Sequence, residues 1–194
     1  MTALSSGRAP ARLWLARHGE TADNRAGDRF QGFRDTPLND RGRAQADALG
    51  RRLAADPDRR FASLWCSDLA RARETAEIVS AHIGLHPVLE PRLREGNRGE
   101  WEGRRFREVA VEAPQRYAAW LAADPDFRFP GGESLGEHQQ RVLAALDDIR
   151  RAGSGPALVV CHRGSIRLVL CAADPRGIAA FHDHDVANAG LVEV

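Results

Sequence analysis

Two apolar runs in this chain end alike. RLWLA (12–16) runs into Arg17-His18-Gly19, and ALVVC (157–161) runs into His162-Arg163-Gly164. Imidazole can act as base, acid or nucleophile near neutral pH, and a glycine close behind lets backbone approach a ligand. A third residue, Arg71, sits in SDLARARETA (67–76), in the first turn of a helical pattern. There a helix N-terminus favours an anion and a guanidinium can fork onto its oxygens. A fourth, Glu95, stands among arginines in RLREGNRGEWEG (92–103). Imidazoles, guanidiniums and one carboxyl are parts for chemistry on an anion. Singly, each has a plainer reading: histidines in unrelated loops, Arg71 a solvated helix charge, Glu95 a surface ion-pair partner.

The elements that must position these residues are legible as period changes. RLWLA, FASLWC (61–66) and ALVVC read as buried strands, and NAGLVEV (188–194) as a last one. Between them, Leu69, Ala72, Ala76, Val79 and Ile83 recur at helical steps, as do Leu135, Val142, Leu146 and Ile149. Ser134 with Glu137 three residues on is a capping-box signature for the second stripe. A further helix over 40–54 is entered from Asn39. Strands alternating with helices predict an α/β fold, a three-layer α/β/α sandwich with a mainly parallel central sheet and helices on both faces. In such sheets ligands bind beyond the carboxyl ends of the strands, which would bring His18 and His162 to one crevice. Loops are expected at 22–38, 84–104 and 124–133. LAADPD at 53–58 and 121–126, and AADP at 172–175, are unequally spaced and read as helix ends, because the residue before proline resists the α region.

Residues 12–194 are expected to form one domain, preceded by a loosely held tail over 1–11. The 43% hydrophobic and 28% charged content is that of an ordinary globular protein. The 28 basic residues are all arginine, so an arginine counts as a phosphate ligand only within a motif. A net charge of +1 gives no case for a nucleic-acid partner or an anionic membrane. Cys66, Cys161 and Cys171 fit no zinc or disulfide framework; Cys66 and Cys161, each closing an apolar run, are expected as buried free thiols. With neither a leader-like apolar core nor a membrane-spanning run, the expected location is cytoplasmic. The histidines of HDHD (182–185) are assigned to a polar loop, and His82, His86 and His138 to the surface. Trp101, Trp120, Phe30 and Phe33 are assigned to packing, with one or two lining a substrate mouth.

Taken together, the chain from residue 12 onward resembles the histidine phosphatase superfamily, the phosphoglycerate mutase-like family. The resemblance rests on RHGET (17–21) with Asn24, QGFRDTPLNDRGRAQA (31–46), SDLARARETA, RLREGNRGEWEG, PGGES (130–134) and CHRGSIR (161–167), in the family's order. It implies His18 as nucleophile, Arg17, Arg71 and His162 as a phosphate clamp, Glu95 as proton donor, and Asn24, Gln31, Gly32 and Arg163 as further pocket residues. The implied activity is a phosphomonoesterase with no cofactor and no metal, acting on a small phosphorylated metabolite. Neutral imidazole can attack phosphorus without charge repulsion, so the ring's other nitrogen should donate to an acceptor such as a backbone carbonyl. A protonated His162 would add to the clamp's charge. Arg163 stands where the family usually has glycine, and is read either as an extra cation for the substrate's far end or as a side chain pointing to solvent. Gly190 stands where relatives often carry serine. Two alternatives remain: a phosphoglycerate mutase using the same phosphohistidine, which is expected to be longer between Glu95 and GGES, and a non-catalytic interaction domain, which is expected to have lost a site residue.

Overall fold

The central strands alternate between two apolar interiors, and this alternation sets the layers. The computed structural model describes residues 11–26, 29–124 and 126–194. The expected N-terminal tail lies outside these residues except for Ala11, which is buried. In β1 (Leu13–Arg17) and β4 (Ala157–Cys161), Leu13, Leu15, Ala157, Val159 and Cys161 face one side. Ala16, Leu158 and Val160 face the other, with Leu64 and Cys66 of β2 (Ser63–Cys66). The first side is covered by α6 (Leu135–Ala152) and α7 (Arg163–Ala173), the second by α2 (Asp40–Ala55) and α3 (Ala70–Ile83). β4 is buried along its whole length, as a central strand covered on both faces must be. The result is the expected three-layer sandwich.

The sheet order is β3-β2-β4-β1-β5, with β3 at Pro87–Leu89 and β5 at Leu191–Glu193. All pairings are parallel except β1 with β5. The expected helices form where their caps predicted. The Asn39 side chain accepts from the Gly42 N–H at 2.8 Å to open α2, and Ser134 and Glu137 close a reciprocal capping box on α6. α2 and α7 each end with an extended aspartate, Asp56 and Asp174, just before proline, and α5 (Pro114–Leu121) ends as its Leu-Ala-Ala-Asp segment begins.

Three segments differ from expectation. The loop predicted at 22–38 begins with a single-turn helix, α1 (Ala22–Ala26). The loop predicted at 84–104 contains β3 and 3₁₀ turns at Pro91–Leu93 and Gly99–Trp101. β3 has three residues, starts with proline and exposes Val88 and Leu89 at the sheet edge, so it is too short to carry a periodic signal. The stretch after it folds into α4 (Phe106–Glu112) and α5. These bury only Val109 outright, and each is about two turns long, too short to carry a long apolar stripe. They pack instead through Phe106, Tyr117 and Trp120 onto an interior of Phe30, Trp101, Phe127 and Phe129. This aromatic lobe lies beside the carboxyl edge of the sheet. The Cys66 and Cys161 thiols are buried, and burial pushes both up to about 12, so they remain protonated.

Candidate active site

Register alone brings the two histidines together. Arg17 pairs with Cys161 in the parallel β1–β4 ladder, so the next residues out are His18 and His162. The His18 N–H still donates to the Cys161 carbonyl at 3.0 Å, and the two rings lie 5.2 Å apart between centroids. One strand over, the Ser67 N–H donates to the Val160 carbonyl, which places the Ser67 hydroxyl 2.8 Å from His162 Nε2.

His18 is 2% exposed, and its Nδ1 lies 2.7 Å from the Gly19 carbonyl. A carbonyl only accepts, so Nδ1 carries the proton and Nε2 keeps its lone pair. This is the backbone acceptor expected for a nucleophilic imidazole. Burial, then the Arg71 and Arg17 guanidiniums, hold the ring well below the usual histidine range. The same holds for His162, through burial and Arg71. His162 is therefore neutral at neutral pH, against the expectation of a protonated clamp member: burial and the Arg71 guanidinium leave no room for a further cation in so dry a place. Gly19 serves packing rather than a ligand, since a Cβ there would sit 2.3 Å from the Gly42 carbonyl oxygen of α2.

The arginines are held by backbone. Arg71 is fully buried and donates to the Gly32 and Arg34 carbonyls, each at 2.8 Å, leaving its Nε unpaired. Arg17 donates to the Val186 carbonyl at 2.7 Å, also with an unpaired buried Nε. Burial, then repulsion from Arg163, lowers Arg17 to about 10, where it still carries its charge at neutral pH. Gly32 reaches φ +56°, the left-handed turn that aims its carbonyl at Arg71.

Glu95 caps the N-terminus of α7: its oxygens accept from the Gly164 and Gly96 N–H groups, both at 2.9 Å. Burial pushes this carboxyl up, but Arg98 at 3.6 Å, His138 at 4.0 Å and the two N–H groups together outweigh it and hold it at about 2. Glu95 therefore stands ionised. A Cβ on Gly164 would lie 2.2 Å from the Glu95 carboxylate, so the glycine required after His162 is the second one. Arg163 has an ordinary negative φ as the first residue of α7, and no conformational need for glycine exists there.

Arg17, His18, Asn24, Gln31, Gly32, Glu95 and Arg163 all line one cleft at the carboxyl edge. Arg71 and His162 lie outside its lining, fully buried, coupled to His18 by charge and ring contact. Asn24 accepts from the Thr21 N–H and the Asn188 side chain, while Gln31 donates to the Thr21 hydroxyl. The opposite wall is aromatic: Phe30, Phe106, Trp120 and Phe181.

Several functional neighbours escaped the sequence reading. Arg98, buried over the Phe129 ring at 4.5 Å, is the partner of Glu95, three residues away. Arg167 also lines the cleft, four residues after Arg163 and so on the same helix face. His138 was expected on the surface and is fully buried, with Nε2 3.0 Å from the Ser165 hydroxyl and 4.0 Å from Glu95. It falls three residues after Leu135 and four before Val142, on the apolar stripe itself, and burial takes it down to about 3. His82, also expected exposed, is half-buried and hydrogen-bonded to Asp47; His86 is exposed as expected. HDHD does not converge on a metal: His182 donates to the Trp120 carbonyl, Asp183 pairs with Arg176, and Asp185 with Arg163. Gly190 supports Arg17 through backbone, its carbonyl accepting the Arg17 N–H at 3.0 Å, so no serine hydroxyl is needed for that contact.

Known proteins resemble this chain in sequence and in fold. The sequence profile of the histidine phosphatase superfamily (branch 1) matches residues 13–194. A phosphoglycerate mutase-like protein 4 of Arabidopsis thaliana is 38% identical over 85% of this chain and 72% of its own length. An adenosylcobalamin/alpha-ribazole phosphatase of Salmonella typhimurium is 34% identical over 82% of this chain and 77% of its own. The native structure of a mycobacterial glucosyl-3-phosphoglycerate phosphatase superposes with a TM-score of 0.82 at 29% identity, over 95% of this chain and 90% of that one. No helix among the described residues is long and apolar enough to cross a membrane. With the profile running from the first strand to the last residue over a cleft of this construction, the chain belongs to the histidine phosphatase superfamily.

Proposed function

We propose that this phosphatase hydrolyses small phosphomonoesters through a phosphohistidine on His18 Nε2. The observation that carries the reading is the Nδ1–H donation to the Gly19 carbonyl, which fixes the tautomer and leaves Nε2 unprotonated at the cleft floor. Arg17 and Arg71 would neutralise the phosphoryl oxygens as charge shifts from the entering to the leaving atom, with His162 contributing as a neutral ring. Their hold on backbone carbonyls means that little reorganisation is needed.

Glu95 raises a proton question, because a carboxylate at about 2 has no proton to give a leaving alkoxide at neutral pH. The substrate resolves it. A phosphomonoester has its second pKa near 6. Its monoanion bound beside ionised Glu95 contains the same protons as its dianion beside the neutral acid. A dianion entering next to Glu95 also disfavours the carboxylate's charge and draws the proton onto it. Glu95 would then give that proton to the leaving oxygen and later take one from the attacking water.

The mutase reading draws on the mutase-like relative. Against it, the described residues from Glu95 to Gly132 form one 3₁₀ turn, α4, α5 and their connections, packed around the aromatic lobe. The discriminating experiment is turnover of p-nitrophenyl phosphate without a bisphosphorylated primer, with an alkaline quench to trap an acid-labile, base-stable phosphoenzyme. Wild type should show both, and His18→Ala neither. Turnover persisting in His18→Ala would overturn the reading; strict dependence on 2,3-bisphosphoglycerate would favour the mutase.

A further inference from the structure

The cleft holds more positive charge than one phosphoryl group uses. Five arginines line it: Arg17, Arg29, Arg98, Arg163 and Arg167. Arg17 belongs to the phosphoryl end, Arg98 faces Glu95, and Arg29 donates to the Gly103 carbonyl at 2.7 Å. That leaves Arg163 and Arg167, one helical turn apart on α7. They share a single carboxylate: Asp185 lies 3.0 Å from Arg163 and 3.5 Å from Arg167. Arg167 is fixed by two further contacts, its Nε donating to the His184 carbonyl at 2.5 Å and its guanidinium 5.4 Å from the Phe181 ring centroid. Asp185 is not fixed in this way. Its side chain is 70% exposed, on a loop, and among the described residues makes no ion pair beyond these two.

Charge at this rim is felt at the phosphoryl end. Arg163 is the leading electrostatic influence on Arg17 after burial, and the leading one on Arg167. Three like charges around one cleft are costly unless anions join them. One guanidinium pair carries one loosely held carboxylate, so it forms a binding site for carboxylates with an occupant that can be exchanged.

We propose that Arg163 and Arg167 form a second anion subsite for a carboxylate on the substrate, and that Asp185 is the protein's own carboxylate, displaced when that substrate binds. This rests on the phosphatase reading and narrows it to phosphomonoesters that also carry a carboxylate a few bonds from the ester oxygen. The phosphoryl end and the two rim arginines line the same cleft, so one small substrate can reach both.

A matched pair of substrates tests the subsite. 3-Phosphoglycerate and glycerol 3-phosphate differ by a carboxylate in place of a hydroxymethyl group. Wild type should favour the acid in kcat/KM, by about tenfold for one charge-assisted contact. Asp185→Asn removes the competing carboxylate and should widen that preference several-fold, through KM for the acid. Arg163→Gln, at a side chain 44% exposed, should shrink it towards unity. The two variants thus move the same ratio in opposite directions, which a merely structural role would not do. A ratio unmoved by both substitutions, or a preference for propane-1,3-diol bisphosphate with none for 3-phosphoglycerate, would overturn the proposal. Failure of wild type to hydrolyse p-nitrophenyl phosphate would instead sink the phosphatase reading beneath it.

Discussion

The floor and the rim of the cleft use the same side chain in opposite ways. At the floor, Arg17 and Arg71 donate to the carbonyls of Val186, Gly32 and Arg34. A backbone carbonyl cannot leave, so these guanidiniums are fixed before any substrate arrives. At the rim, Arg163 and Arg167 hold the exposed carboxylate of Asp185, which can leave. A fixed floor stabilises charge on any phosphoryl group, whereas an exchangeable rim can respond to the rest of the molecule. On the proposed roles, catalytic power would rest on the buried arginines and selectivity on those at the rim.

The largest effect should come from the floor. Arg71→Gln removes one fixed cation and should cost roughly a hundredfold or more in kcat/KM, by a similar factor for every ester. It should also lower the melting temperature, since the Gly32 and Arg34 carbonyls lose their donor in a buried place. Steady-state rates on a panel of esters check this; a change in ester ranking would break the division between floor and rim.

Glu95 stands between the two regions. Glu95→Gln should slow alkyl phosphates much more than p-nitrophenyl phosphate, whose leaving group needs no proton, by about 10²-fold against a few-fold. Because free Glu95 is ionised, kcat/KM should fall as pH rises through the substrate's own second pKa near 6. The falling limb should move when the substrate's pKa is changed by a substituent. A limb that stayed put would place the titrating proton on the protein instead.

Acidification sharpens the contrast further. His18, His162 and His138 are kept neutral by folding, whereas the unfolded chain protonates them below about pH 6.5. Below that pH the unfolded state binds more protons, so stability falls as pH falls, by up to about 1.4 kcal/mol per pH unit for each histidine. Glu95 adds the same sign below about pH 4.5, where the unfolded carboxyl takes a proton and the folded one does not. Thermal melts from pH 7.5 to 5 should show a steady decline from the floor residues alone. A flat profile would mean that those rings are not sealed from water.

How much of this was legible depended on whether a signal was local. β1 and β4 announced themselves as apolar runs, and their parallel register then made the meeting of His18 and His162 unavoidable. Caps at Asn39 and Ser134 and the three Ala-Asp-Pro ends marked helix boundaries, because each acts through its own backbone neighbours. The aromatic lobe did not show, since α4 and α5 are each about two turns long and offer too few apolar positions for a periodic signal. His138 was misplaced because histidine reads as polar, although its spacing from Leu135 and Val142 put it inside. The charge state of Glu95 was undecidable without Arg98 and the α7 amides, which only folding brings to it.

The smallest effect tests whether the floor's rigidity is a cost that the fold carries for function. Ala189 adopts φ +55°, a left-handed conformation that costs an L-residue about 1–2 kcal/mol. It holds that shape while its N–H donates to the Arg17 carbonyl at 3.1 Å and reaches the His18 carbonyl at 3.3 Å, and the neighbouring Asn188 side chain donates to His18 as well. Ala189→Gly relieves the strain but gives the unfolded chain more freedom, so the net gain should be only about 0.5–1 kcal/mol. If the turn merely braces β1, the melting temperature should rise slightly while kcat/KM stays within about twofold, a change too small to alter the barrier meaningfully. If activity falls as stability rises, the strained turn is holding His18 in its attacking position, and the floor owes its fixity to Ala189 as well as to the carbonyls that hold its arginines.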